Sequence, residues 1–391
     1  MGGVRILIST WPAHGHLLPL LPIARAAERA GHDVVVASGV EGTAEAGRRG
    51  LRTWEVGPSR AEANAAFGAV IGDLSAVAPE RRMATLIEGV FGAAAFRRAE
   101  ALVPLVEEWR PELVVHPITE LAAAVAAERC GARHAVHGLG PLPREAWDWF
   151  GARFADLCTT WDVPDLATAI LERPYLDDCP PSLQPDAVAA FGNRRRMRAT
   201  PGEAAPGEHL PWSHEDLAGL PFDRTVHLTL GTLFHGATGV FQTALDGLTR
   251  LDVNVVVTVG PDTDPTRLGP QPTHVLVADF VAHELLLPHC DALVTQGGAG
   301  TIVAALCAGL AHLILPQGAD QFVNGATAEA AGVALTIPPA ELTADGVTDA
   351  VRRLLEDPSF GAAARRVQRE IDGLPTPDDV LAALLTDSAA A

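Results

Sequence analysis

"VRILISTWPAHGHLLPLLPIARAAERAGHDVVVAS", residues 4–38, decides how the chain folds. Residues 4–10 read as a strand buried in a parallel sheet, and residues 18–30 set Leu18, Leu21 and Ala24 to Ala27 on one helical face. "GHDVVVAS" (31–38) is a second short apolar run behind a helix-ending glycine. Strand, helix and strand within so short a stretch make a βαβ unit, and such units build parallel sheets.

Further along, the pattern recurs. "PELVVHP" (111–117) is followed by a helix, "TELAAAVAAERCG", and a strand, "RHAVHGL" (133–139). Between these units lie a helical segment, 80–108, and a less regular stretch, 141–190, holding Trp147, Trp149, Phe150, Phe154 and Trp161. Clustered rings suit either an acceptor pocket or the packing of two short helices. Proline and glycine density rises over 199–222, and a second series then begins with "TVHLTLGT" (225–232) and runs through "VNVVVTVG", "THVLVADF", "DALVTQGG", "HLILPQ" and "VALTIP". The expected architecture is α/β, with two Rossmann-like doubly wound domains facing across a cleft. Residues 1–205 read as the N-terminal domain, 206–222 as a linker and 223–370 as the C-terminal domain; 371–391 carry a capped helix able to pack back on the N-terminal domain.

Bulk composition agrees with two domains: the chain has 391 residues and is 48% hydrophobic. "VRILIST" lacks the basic flank and length of a signal peptide or membrane span, so a cytoplasmic protein without a membrane span is expected. Five scattered cysteines with no CxxC pair read as reduced thiols, arguing against disulfides or a zinc site. A net charge of −19 disfavours nucleic acid as a partner, and the one basic cluster, "RRRMR" (194–198), reads as a solvated loop. Every basic residue counted is arginine, which excludes Schiff-base chemistry, pyridoxal phosphate and a Walker A lysine.

"CDALVTQGGAGTIVAALCAGL" (290–310) is a strand entering a glycine-rich turn and then an apolar helix. Unpaired N–H groups and a partial positive charge at a helix start suit a phosphate, and glycines admit it close to the backbone. In "PQGADQFVNG" (316–325), Asp320, Gln321 and Asn324 stand at another strand-to-helix junction, where carboxylate and amide groups suit sugar hydroxyls. Asp320 also fits a simple helix N-cap. Gly231 and Thr232, in "LGTLF" (230–234), end the first strand of this lobe and point toward the same crevice. In "WPAHGHLLPL" (11–20), His14 and His16 both follow a strand end, and either imidazole is suited to proton transfer near neutrality.

"PAHGHLLPLL", "LTLGT", "VADFVAHELLLPHCDA", "HCDALVTQGGAGT" and "GLAHLILPQGADQFVNG", in this order along the chain, resemble family 1 glycosyltransferases of GT-B fold, especially actinobacterial enzymes that tailor antibiotics and other natural products. The resemblance makes the N-terminal domain the acceptor-binding one and the C-terminal domain the nucleotide-sugar-binding one. The resemblance implies an inverting, metal-independent enzyme without a cofactor, moving a hexose or deoxyhexose from a nucleotide sugar, a TDP-sugar being expected, to a hydroxyl of a hydrophobic aglycone in secondary metabolism. It further implies that Phe280 stacks on the base and His283 contacts base or ribose. Thr232, Gly298, Gly300 and Thr301 would hold the diphosphate together with Gly231, Gln296 and Gly297, and Asp320 and Gln321 the sugar. His16, after a glycine and before an apolar pair and a proline, matches the base; His14 becomes a neighbouring loop residue that contacts acceptor or donor.

Two departures stand out. Gln296 replaces a histidine frequent before the paired glycines, and Pro117 stands where many relatives carry a carboxylate. Glu120, in "HPITELA", is the alternative acid: it orients His16, binds acceptor, or is a first-turn acid favoured by the helix dipole. Trp147 and Phe150 are the candidate acceptor-binding rings. "LDDCP" (176–180) reads as solvated, leaving no DxD-type pair at a strand end for a metal. A C- or N-glycosidic bond, a nucleotide-sugar 2-epimerase, and a homodimer or auxiliary protein as partner all stay open. An NAD-dependent dehydrogenase is disfavoured because no GxGxxG follows the first strand, and a catalytically silent partner because His16, Thr301, Asp320 and Gln321 are retained together.

Overall fold

Strands covered by helices on both faces are mostly apolar, and the central strands here are so apart from a few buried polar residues such as His116 and His227. The computed structural model describes residues 3–59, 61, 62, 65, 77, 85, 87–142, 151–231, 238–260 and 263–386. In it the chain divides into two units: Met1–Asp178 with Pro185–Arg198 and Leu374–Ala391, and Cys179–Gln184 with Ala199–Gly373.

The first unit holds β1 (Arg5–Ser9), β2 (Asp33–Ser38), β3 (Thr53–Glu55), β4 (Leu113–Pro117), β5 (Arg133–His137), β6 (Tyr175–Asp177) and β7 (Arg194–Arg196). Their order is β3-β2-β1-β4-β5-β6-β7, and every pairing is parallel. Leu7, Val35 and Val114 face one helical layer, and Ile6, Ile8, Val34, Val36 and Val115 the other. The second unit holds β8 (Thr225–Thr229), β9 (Asn254–Thr258), β10 (Val275–Ala278), β11 (Ala292–Thr295), β12 (Ala311–Ile314) and β13 (Ala334–Thr336). Its order is β10-β9-β8-β11-β12-β13, again wholly parallel.

Several local expectations give way to tertiary structure. The expected single helix over 18–30 is a short turn of helix, His14–Leu17, a 3₁₀ turn, Leu18–Leu20, and a helix, Leu21–Arg29. Pro19 and Pro22 each sit in the first turn of a new segment, where a missing N–H costs nothing. "RRRMR" is not a solvated loop: it supplies the edge strand β7, and Arg194 Nε donates to Asp177 Oδ2 at 2.6 Å. "LDDCP" is buried for the same reason, since Asp177 lies within β6 and Asp178 directly after it.

Residues 206–222, read as a linker, lie in the second unit, where Ser213 and Asp216 form a capping box on the helix His214–Ala218. The helix Pro377–Thr386 belongs to the first unit. Its Val380, Leu381 and Leu384 pack in one cluster with Ile6, Ile8 and Ile23, Asp378 pairs with Arg29 at 2.7 Å, and the Leu384 carbonyl accepts from Arg133 at 2.8 Å. All five cysteines are free thiols, and no helix among the described residues is long and apolar enough to cross a membrane.

Leu381 is almost fully buried in that cluster, so Leu381→Ala should lower unfolding stability by about 2–5 kcal/mol through the cavity it leaves. Urea denaturation measures the change. A loss below about 0.5 kcal/mol, typical of surface sites, would show that the C-terminal helix is not part of the core.

Candidate functional site

In a doubly wound sheet, the loops leaving two neighbouring central strands run in opposite directions and open a crevice at the carboxyl edge. That point lies between β1 and β4 in the first unit and between β8 and β11 in the second. Most of the described candidate residues stand on these four strand ends or on the loops beside them.

After β1, Thr10 Oγ1 donates to the His16 carbonyl at 3.0 Å and the His16 amide to the Ala13 carbonyl at 3.0 Å, which fixes the turn holding the imidazole. His16 is half-buried, with its ring centroid 5.4 Å from that of Phe91 and its Nδ1 3.3 Å from Thr119 Oγ1, in the loop after β4. Burial lowers its pKa to about 4, so the ring is neutral at physiological pH. His14 points elsewhere, with Nε2 3.9 Å from Glu45 Oε2; Glu45 also pairs with Arg48 and Arg49. Of the two histidines, only His16 reaches the β4 loop among the described residues.

Of the three roles open to Glu120, orienting His16 is the one its contacts do not support. Both carboxylate oxygens lie within 3.0 Å of Arg98 Nε, and among the described residues no hydrogen bond joins Glu120 to His16. Arg98, 1% exposed, also donates to the Val56 carbonyl at 2.9 Å, the Thr10 carbonyl at 3.1 Å and Ser9 Oγ at 3.4 Å. A guanidinium taken out of water needs such a set, and the nearest carboxylate supplies the charge. Thr119 and Arg98 were not singled out from sequence. Neither stands in a recognisable motif, and the acid one residue along draws attention away from the threonine. Pro117 lies inside β4, paired in register with His137.

In the second unit, Gln296 follows β11 and is buried, its Oε1 accepting from Thr295 Oγ1 at 2.8 Å. Its Nε2 lies between two glycines: a Cβ at Gly298 would come within 2.9 Å of it, and one at Gly231, whose φ is +69°, would collide with it. Gly298 caps the helix Ala299–Cys307 without a side-chain bond. Among the described residues nothing accepts from the amides of Gly298, Ala299 or Gly300, while the Thr301 amide turns back to the Gly298 carbonyl at 3.0 Å. Gly300 is exposed, and a Cβ there would touch nothing. The result is an uncapped, accessible helix start of the kind that binds anions.

Asp320 and Asn324 join this turn. Asn324 Nδ2 donates to the Gly297 carbonyl at 3.0 Å and to Asp320 Oδ2 at 2.7 Å. Burial pushes the Asp320 carboxyl above its ordinary range. Gln321 is buried, and its Oε1 accepts from the amides of Gln317 at 2.7 Å and Gly318 at 3.1 Å, closing a loop in which Ala319 adopts φ +54°. Phe280, after β10, is half-buried, and its amide donates to Asp279 Oδ1 at 2.7 Å. His283 opens a short helix edge-on to the buried His227 ring, 5.8 Å between centroids, and burial lowers its pKa to about 4. Thr232, Trp147, Trp149 and Phe150 lie outside the described residues. No group of three His, Cys, Asp or Glu among the described residues is placed to hold a metal ion.

The chain matches models of the erythromycin biosynthesis protein CIII-like N-terminal domain over residues 25–197 and C-terminal domain over residues 242–386. It is 31% identical to the elloramycin glycosyltransferase ElmGT of Streptomyces olivaceus, over 98% of this chain and 97% of that protein. With the 10-deoxymethynolide desosaminyltransferase of Streptomyces venezuelae it shares 29% identity, over 97% of this chain and 96% of the relative. Among solved structures, glycosyltransferase VinC in complex with dTDP aligns over 99% of this chain and 100% of its own, at 26% identity and a TM-score of 0.78.

The Arg98–Glu120 pair yields a direct test of what Glu120 does. Removing one member of a buried ion pair strands the other charge, so Glu120→Ala should cost about 3–5 kcal/mol in unfolding experiments. Wild-type stability in this variant would free Glu120 for a role on His16 or acceptor.

Proposed function

The chain belongs to the erythromycin biosynthesis protein CIII-like glycosyltransferases, with the two Rossmann-like domains of the GT-B fold, and from that premise we propose its reaction and the residues that perform it. It transfers a hexose or deoxyhexose from a TDP-sugar to a hydroxyl of a hydrophobic natural-product aglycone, with inversion at the anomeric carbon. The observation that carries the donor half is the start of the helix Ala299–Cys307, where three amides beside Asp320 have no acceptor among the described residues. A nucleoside diphosphate matches it in charge and shape, and VinC, solved with dTDP, supports thymine as the base. Desosaminyl transfer, the activity in the Streptomyces venezuelae relative's name, supports a deoxysugar as the group transferred.

Each residue has a part in that reading. Phe280 stacks on the base and His283 meets base or ribose. Gly231, Thr232, Gln296, Gly297, Gly298, Gly300 and Thr301 hold the diphosphate, and Asp320 with Gln321 the sugar. His14, Trp147 and Phe150 border the acceptor. His16 Nε2 removes the acceptor proton as the oxygen forms its bond to the anomeric carbon. The bond from that carbon to the diphosphate breaks, and the electron pair leaves with TDP. Backbone amides, the helix dipole and Gln296 Nε2 meet the charge that grows on the leaving oxygen, which is the stabilisation a metal provides elsewhere. A cytoplasmic location, where nucleotide sugars are available, belongs to the same proposal.

His16→Ala should lower transfer by about 10²–10⁴-fold while TDP binding by calorimetry stays intact. Because the base must be neutral and burial lowers its pKa to about 4, kcat/KM should climb with pH through that value and be level from about pH 6 upward. A limb near the ordinary histidine value of about 6.5, or failure of TDP to bind, would contradict the assignment. Asp320→Ala should reduce transfer far more than nucleotide binding; equal losses would make Asp320 a structural group.

A further inference from the structure

A histidine base needs its proton on the ring nitrogen that faces away from the substrate, and some neighbouring group must hold it there. In a histidine–carboxylate pair the acid does this and also stabilises the imidazolium that forms. Among the described residues, the buried acids of the first unit are engaged elsewhere, and the half-buried Glu88 accepts from the Arg153 amide at 3.4 Å. Glu45 pairs with His14, Arg48 and Arg49, Glu120 with Arg98, Asp177 with Arg194, and Asp178 Oδ2 stands 3.8 Å from His137 Nε2. Glu128, half-buried, is taken by His134 and Arg173. Among the described residues, the one side chain hydrogen-bonded to the His16 ring is Thr119, through Nδ1 at 3.3 Å.

Thr119 is itself well placed for the task. It sits one residue before Glu120, whose grip on Arg98 fixes the backbone at the mouth of β4, and Arg98 in turn bonds the Thr10 carbonyl on the β1 side. The hydroxyl and the imidazole are therefore tied to one buried frame from both strands. We propose that Thr119 is the positioning residue of His16: its hydroxyl accepts from Nδ1–H and so holds the free lone pair on Nε2. This rests on the reading of His16 as base.

The threonine orients without adding negative charge. Proton transfer to His16 thus creates an imidazolium that, among the described residues, has no carboxylate hydrogen-bonded to it, and more of the step falls on the acidity of the acceptor. A phenolic hydroxyl, which gives up its proton more readily than an aliphatic alcohol, is the acceptor class this arrangement fits.

The test is the tautomer of His16, read by long-range ¹H–¹⁵N NMR of ¹⁵N-histidine-labelled protein, with the His16 signals assigned by their loss in His16→Ala. Wild type should show the Nδ1–H tautomer, Thr119→Val a mixture of both, and Thr119→Ser the wild-type pattern. In step with this, Thr119→Val should lower kcat by about tenfold or more with the donor KM unchanged, and Thr119→Ser should restore it. Thr119→Asp should raise the His16 pKa and narrow the rate gap between a hydroxycoumarin and a hydroxymethylcoumarin acceptor. A wild-type Nε2–H tautomer, or a tautomer and kcat indifferent to Thr119→Val, would overturn the proposal. Should the tautomers follow the prediction while His16→Ala still transfers sugar, the Thr119 contact stands and the role of His16 as base falls.

Discussion

One buried guanidinium organises the first unit. Arg98 enters the sheet from the helix Ala93–Trp109 and bonds the end of β1, the Val56 carbonyl beyond β3 and the Glu120 carboxylate after β4. Withdrawing that charge from water is costly, and only a complete set of partners offsets it. The requirement reaches into the backbone: Gly57 has φ +80°, and a Cβ there would strike the Arg98 side chain. The loops at the switch point are consequently drawn to one centre, and the pairing of His16 with Thr119 is set beside it.

The second unit solves a similar problem with a neutral group. Asn324, buried in the first turn of the helix Gln321–Ala330, uses its amide to join the Gly297 carbonyl to the Asp320 carboxylate. The glycine turn and the acidic loop therefore keep their separation without help from a ligand, which is the preorganisation a binding site needs. Gln296 fills the space left by two glycines and presents its N–H groups there, a donor without charge where a histidine would bring one.

Much of this was legible in the residues. Apolar runs and helix-ending glycines located the central strands, and the strand-to-helix turns at His16, Gly298 and Asp320 followed from them. What escaped depended on contacts between distant positions. Nothing in "FRRAEA" says that Arg98, and not Arg97, enters the core, or that it claims a glutamate 22 residues away. The choice between Thr119 and Glu120 is a matter of one residue at a helix start, where Glu120 has φ −96° and ψ 71° instead of helical values. Edge strand β7 was hidden because arginines read as solvated until Asp177 supplies the partner charge. In each case local pattern was overridden by the need to satisfy a buried polar group.

The proposed reaction is a single displacement assisted by a base, and the stereochemistry of its product is the decisive readout. Incubated with a TDP-α-sugar and an acceptor, the protein should give a product whose anomeric ¹H coupling identifies the β-linkage. An α-linked product would require a covalent or ion-paired intermediate on the protein, and His16 could not then act as the account describes.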